Sequence, residues 1–423
     1  MPAVPRRRPA FRPAAPEPTP EGTSRRHKPD YWLLVLSALL LGIGLIVVYA
    51  ISPGLAVEKD VGQTYFVYRQ LIWVLTGLVA FFVAVNIPLS IWQRLQQPLL
   101  IVAALSAVAV RVFGEEVNGA YRWIQVGGFS FQPVELIKFA LLIWLAAFLV
   151  NRIREGTIND FKQTIRPLLV AVAALVVVVA GAQSDFGSTA VMIAMMGAMV
   201  IVAGMPVKRL ATIGLVVLLL GTIAIASSDY RQDRLATFLH PEQDCLNTGY
   251  QACQALIAVG SGGVAGLGLG RSVQAFGYLP EAENDSIFAI YAEKFGFIGV
   301  LVLFGLLVAF LSRIKRVIEY APDDFSRLVA TGVFAWFSVQ AIINIGAMIG
   351  LLPLKGITLP FISYGGSSIL FVMLATGVVF HISRYTLYSV PKSDTLSGGD
   401  RHENSGDRRR VRGAYHPNSV SRS

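Results

Sequence analysis

Residues 278–299, YLPEAENDSIFAIYAEKFGFIG, join two incompatible environments in one stretch. An acidic run carrying Glu281, Glu283 and Asp285 passes directly into the apolar run Ile287–Phe310, which is long enough to cross a bilayer as a helix. The junction places one carboxylate, Asp285, at an expected membrane boundary, where it either caps the helix or sits in a cleft at its end. A carboxylate shielded from water there has its pKa raised toward the value a general base needs. Glu293 follows two turns down the same helix, so both acids are expected to face one cavity.

Outward from that junction, the composition agrees with a membrane chain. Of 423 residues, 54% are hydrophobic and only 15% charged, with mean hydropathy +0.59. A soluble domain would carry charges nearer a quarter of its residues. The apolar residues gather in ten blocks, 31–52, 67–87, 91–112, 133–151, 166–184, 188–205, 208–227, 286–312, 326–351 and 365–385. The expected fold is therefore an all-α polytopic membrane protein of about ten transmembrane helices, with a long loop, 228–285, between helices 7 and 8. Residues 1–30 and 386–423 are polar and basic and are expected to be disordered tails around the membrane domain 31–385. No cleavable signal peptide is expected, because some thirty polar residues precede the first apolar block.

The net charge of +10 reads as topology rather than nucleic-acid binding. In the ten-span arrangement 26 of the 36 Lys and Arg residues fall on one side and 8 on the other, with Lys138 and Lys294 inside spans. Both termini are thus expected in the cytoplasm, and the 228–285 loop and Asp285 outside.

Further polar groups interrupt the apolar pattern. Glu135 and Lys138 are spaced to meet on one helix face, either as a structural ion pair or with Lys138 turned to an anionic ligand. Arg122, beside Trp123, suits phosphate recognition or an interfacial anchor. Asp185, at a short turn, caps the next helix or adds a second carboxylate to the outer cavity, where two or three acids could hold a divalent cation. The run Gly260–Gly270, GSGGVAGLGLG, follows no strand, so it reads as a segment packed against helices and not as a nucleotide loop. Leu351–Ser368 carries Lys355 and several hydroxyls; a serine nucleophile there lacks a nearby base, and an ordered turn lining the cavity is expected. Cys245 and Cys253, the only cysteines, either form a disulfide in the outer loop or stay free.

Taken together and in order, NGAYRWI, FQPVELIKF, QSDFGSTA, GYQACQALIAVGSGGVAGLGLGRS, YLPEAENDSIFAI and LKGITLPFISYGGSS resemble the SEDS glycosyltransferases of bacterial cell-wall synthesis. The resemblance covers roughly 31–385 and, through Lys355, is nearer the division and sporulation branch (FtsW and SpoVE) than the elongation branch (RodA). Ser286, Lys294 and Leu354 depart from the family's usual Phe, Glu and Thr. The resemblance implies a polymerase of lipid II, working outside the membrane with a class B penicillin-binding protein transpeptidase and other divisome proteins. It also implies Asp285 as the catalytic carboxylate, with Arg122, Glu135, Lys138 and Asp185 lining the outer cavity; these four and Lys355 are the expected substrate-binding positions, and the acids make Mg²⁺ or Mn²⁺ a candidate cofactor. Two other readings stand beside it: a lipid II flippase, whose path Glu135, Lys138 and Asp185 would mark, and a non-catalytic scaffold.

Overall fold

The computed structural model describes residues 24–117, 120–126, 129–215, 238, 245–247 and 249–387. Both expected tails lie outside these residues, apart from 24–30 and 386–387. So do most of the expected span 208–227 and much of the 228–285 loop.

The chain is a helical membrane bundle. Its helices are α1 (Tyr31–Glu58), α2 (Tyr65–Asn86), the short α3 (Leu89–Arg94), α4 (Gln96–Phe113), α5 (Pro133–Arg154), α6 (Phe161–Ala182), α7 (Phe186–Val202), α8 (Tyr250–Ser261), α9 (Ile287–Glu319), α10 (Asp324–Met348) and α11 (Gly366–Ile382). Among the described residues seven helices, α1, α2, α4, α5, α6, α9 and α10, are long and apolar enough to cross a membrane, and α7 and α11 are shorter apolar helices. Apolar side chains left on the outside, such as Leu105, Val108 and Val112 of α4 and Val170 and Val177 of α6, suit contact with lipid. α5 is deeply enclosed, with Leu142, Ile143, Leu145, Ala146 and Leu149 fully buried.

Hydrogen bonds sort the helix termini onto two ends of the bundle. At one end, Asp30 caps α1 by accepting from Trp32 N at 3.1 Å, pairs with Arg313 Nε at 2.8 Å, and its own N–H donates to Ser383 Oγ at 3.0 Å. A short ladder joins β1 (Ser24–Arg26) to β5 (Tyr385–Leu387) there, so the ordered chain extends into segments expected to be disordered tails. The described chain therefore enters and leaves the bundle at the same end. His381 Nδ1 lies 2.8 Å from Val85 O, which puts the end of α2 there too.

At the other end lie the starts of α5, α7, α9 and α11 and three connecting pieces. The strands β2 (Glu115–Val117), β3 (Ala120–Val126) and β4 (Phe129–Phe131) form an antiparallel meander in front of α5. A tight turn at 183–185 joins α6 to α7, and a non-helical segment, 353–365, with a turn at 360–362, joins α10 to α11.

α9 is not one continuous helix. At Gly296 (φ 63, ψ −166) the backbone leaves the helical region in a conformation suited to a residue without Cβ. The glycine-rich run takes up the freed backbone groups: Phe297 N donates to Gly263 O at 2.9 Å and Ile298 N to Val264 O at 3.1 Å. In return Leu267 N and Gly268 N donate to Glu293 O and Lys294 O at 2.9 and 3.0 Å. Irregular backbone at membrane depth is thus covered by protein, as its chemistry requires. The same packing overturns one expectation. Glu293 does not share a cavity with Asp285; its buried carboxylate accepts from Ser272 Oγ, Val273 N (2.8 Å) and Gln274 N (3.2 Å).

Candidate active site

Asp285 closes a turn that starts at Glu281 (φ 52), whose carbonyl accepts from Asn284 N at 3.0 Å and Ser286 N at 3.1 Å. Ser286, the residue before α9, is buried; its Oγ donates to Pro280 O at 2.9 Å and accepts from Gln251 Nε2 of α8 at 3.1 Å. A hydroxyl in place of a bulky apolar side chain thus anchors the turn to α8. Asp285 does not cap α9. It is half-buried, and its Oδ1 is shielded from water without a hydrogen-bond partner.

That environment raises its pKa. Burial, the larger cause, and the Glu281 and Glu283 carboxylates push Asp285 up to about 8, while a backbone hydrogen bond and the Arg122 guanidinium pull the other way. Glu283 is compensated differently: its Oε1 meets Lys59 Nζ at 2.6 Å. Burial would lower the Lys59 ammonium's pKa, but the hydrogen bond and charge of Glu283, with Glu281 and Glu58, outweigh it and raise the pKa.

The Arg122 guanidinium approaches Asp285 across the backbone of 353–365. A Cβ on Gly356 would lie 3.3 Å from Arg122 Nη1 and 3.7 Å from Asp285 Oδ2, so the bare face of this glycine lies between guanidinium and carboxylate. Arg122, on β3, is aimed there by its other nitrogens: Nε donates to Gln183 O at 3.1 Å and Nη2 to Ser184 O at 2.6 Å. Ser184 has φ 51, so the turn that offers these two successive carbonyls is strained. Next in sequence, Asp185 caps α7 through Oδ1, which accepts from Ser188 N at 2.9 Å, and its buried Oδ2 has no partner. Lys355 adjoins the same turn: its Nζ lies 5.4 Å from the Phe186 ring centroid, and its Cβ is 3.1 Å from where Gly187 would carry one.

These elements match known proteins in sequence and architecture. A family model described as "Cell cycle protein", covering FtsW, RodA and SpoVE, matches residues 31–388. The chain belongs to the FtsW/RodA/SpoVE family. Stage V sporulation protein E of Bacillus subtilis is 38% identical over 369 residues, covering 86% of this chain and 100% of that protein. A probable peptidoglycan glycosyltransferase FtsW of Thioalkalivibrio sp. is 39% identical over 376 residues, covering 88% and 93%. Among solved structures, a chain of a peptidoglycan synthase complex that coordinates polymerisation and crosslinking superposes with TM-score 0.69 at 26% identity, covering 84% of this chain and 98% of that one. Thermus thermophilus RodA, a rod shape determining protein, gives 0.61 at 26% identity, with 84% and 97% covered.

Of the site positions expected in this FtsW/RodA/SpoVE chain, Arg122, Asp185, Asp285 and Lys355 come together at one end of the bundle. Glu135 and Lys138 do not join them. They form a buried ion pair at 2.8 Å; Lys138, at 0% exposure, also donates to Gln340 Oε1 at 3.0 Å and lies 5.3 Å from the Trp336 ring centroid. This burial and pairing favour the structural reading of the two left open, although Glu135 Oε2 is buried without a partner.

Among the described residues, no group of three or more His, Cys, Asp or Glu is placed to hold a metal ion. The converging residues include two carboxylates, Asp185 and Asp285, and Asp185 Oδ1 is already engaged in capping α7, so the described residues alone do not complete a cation site. Cys245 and Cys253 are joined as a disulfide, with a Cα–Cα separation of 5.7 Å.

The sequence reading passed over Gln183, Asn344 and Gly356. Gln183 Nε2 and Asn344 Oδ1 are buried without partners, as are Asp185 Oδ2 and Asp285 Oδ1. Buried polar atoms are rarely left unsatisfied, and such atoms gathered on residues of one site call for water or a polar ligand. An amide inside an otherwise apolar span, as in QAIINIGAM, was the available signal for Asn344.

Proposed function

We propose that this membrane protein is a peptidoglycan glycosyltransferase that polymerises lipid II at the outer face of the cytoplasmic membrane during cell division, with Asp285 as its general base. The observation that carries the reading is the Asp285 carboxylate, shielded and without a partner at Oδ1, across Gly356 from the Arg122 guanidinium. The positive-side excess of Lys and Arg supports cytoplasmic termini, with the Asp285 end of the bundle outside.

A sugar hydroxyl attacks poorly unless a positioned group removes its proton. Ionised Asp285 takes that proton from the acceptor GlcNAc 4-hydroxyl as its oxygen bonds to the anomeric carbon of the donor. The bond from that carbon to the diphosphate oxygen breaks with its electron pair on the leaving group. Arg122 and Lys355 stabilise the polyprenyl diphosphate released, the guanidinium by its planar fork. One carboxylate and a direct displacement give inversion at the anomeric carbon. Lys138, sealed within the bundle, has no part in charge stabilisation. A Mg²⁺ or Mn²⁺ ion carried in by the diphosphate is the remaining form of the expected metal. Turnover lost in chelator and restored by Mg²⁺ supports it; full turnover in chelator removes it.

The synthase-complex neighbour supports a class B penicillin-binding protein as partner. The test is therefore the full chain with that transpeptidase and labelled lipid II. Polymer that forms with the native chain and vanishes in Asp285→Asn supports the enzyme. Translocation of lipid II in liposomes without polymer under any condition replaces it with a transporter.

A further inference from the structure

Asn344 lies on α10, at 1% exposure, one turn after Gln340 and on the same helix face. Its Nδ2 donates to two carbonyls from distant parts of the chain, Asp285 O at 2.7 Å and Ile357 O at 2.7 Å. Gln340 makes the neighbouring rung: Nε2 donates to Thr358 O at 2.8 Å and Thr358 Oγ1 at 3.2 Å. Gln340 Oε1 accepts from Lys138 Nζ at 3.0 Å and Trp336 Nε1 at 2.7 Å. Two amides of one helix thus hold the consecutive residues 357 and 358, and the buried Glu135–Lys138 pair fixes which way the first amide points.

The consequence concerns the residues just before those rungs, Lys355 and Gly356. The other ties of the Asp285 turn lead elsewhere: Ser286 to Pro280 and to Gln251 of α8, and Glu283 O to Tyr364 N at 2.8 Å, eight residues beyond Gly356. Close to the site, the Asp285 backbone and the 355–358 backbone share the amide of Asn344.

We propose that Asn344 is a positioning residue: its Nδ2 holds the Asp285 and Ile357 carbonyls together and so sets the gap between the Asp285 carboxylate and the Arg122–Lys355 side of the site. This rests on the reading of Asp285 as the general base. Losing the shared donor releases both carbonyls at once, and a misplacement near 1 Å costs on the order of 100-fold in rate.

The experiment uses the full chain with its partner transpeptidase, lipid II polymerisation across a range of pH and substrate concentrations, and a melting curve for each variant. Asn344→Leu keeps the side chain's size and removes the donor; Asn344→Ser keeps a hydroxyl donor that reaches less far, and carries the test if the leucine variant does not fold. The expected result in a folded variant is kcat lowered about 10- to 100-fold with KM within about 3-fold. The acid limb of the rate profile is expected to move to lower pH, because a released Asp285 relaxes toward water. Glu281 and Glu283 on its own turn and Arg122 on β3 are unchanged in these variants, so a moved limb reports the place of Asp285. An unchanged kcat overturns the proposal, as does a loss equal at every pH with the limb unmoved, which is what packing alone gives. If Asp285→Asn stays active, the base reading itself falls; if Asp285→Asn is inactive while the Asn344 variants match the native chain, only the positioning role falls.

Discussion

Asp285→Asn is the substitution on which the chemistry depends, and the structure makes it unusually clean. The tie from Asn344 goes to the Asp285 backbone carbonyl, so it survives the change of side chain, and Asn has nearly the same volume. What is lost is the proton acceptor. A positioned general base contributes roughly 10²–10⁴-fold, or about 2.7–5.4 kcal/mol of barrier, and polymerisation is expected to fall by that factor. The native chain has its own signature. The anion is the active form, and burial with Glu281 and Glu283 pushes the Asp285 carboxyl up to about 8, so activity is lost as pH falls through that value. The ionised fraction drops from about one half at pH 8 to about 1% at pH 6, a roughly 50-fold loss in kcat/KM. Arg122→Gln removes a charge that opposes the rise and is expected to shift the acid limb upward while lowering the rate. Polymer measured with labelled lipid II between pH 5.5 and 9.5 checks all three (a range set by the carboxyl's position). The reasoning is refuted if Asp285→Asn polymerises at the native rate, or if the acid limb lies near the ordinary carboxylate value of about 4.

Other predictions follow from the packing. Lys138→Met leaves Glu135 as an unpaired buried charge and is expected to destabilise the chain by about 3–5 kcal/mol, read as a lowered Tm, whereas adding Glu135→Leu recovers most of the loss. Gly356→Val pushes methyl groups between Arg122 and Asp285 and is expected to lower polymerisation at least ~10-fold with Tm nearly unchanged; native activity in that variant contradicts the placement of the gap. Non-reduced peptide mapping is expected to recover Cys245 and Cys253 in one linked peptide, and recovery of both as alkylated free thiols rejects the pairing.

The membrane class and most of the helices were legible in the sequence because length and apolarity of a run are local properties, and a bilayer imposes both on each span separately. Asp285 was legible for a similar reason, since a carboxylate directly before an apolar helix is conspicuous without any partner. Which groups stand around it was decided only by tertiary structure. Arg122, Asp185 and Lys355 come from a strand, a turn and a non-helical segment whose approach depends on how helices pack, and no spacing along the chain reports that. The same packing sealed Lys138 against Gln340, turned Glu293 toward Ser272–Gln274, and brought Asn344 between Asp285 and Ile357. A buried polar group bonds to whatever the fold brings within about 3 Å, and for these residues the partners lie far away in sequence.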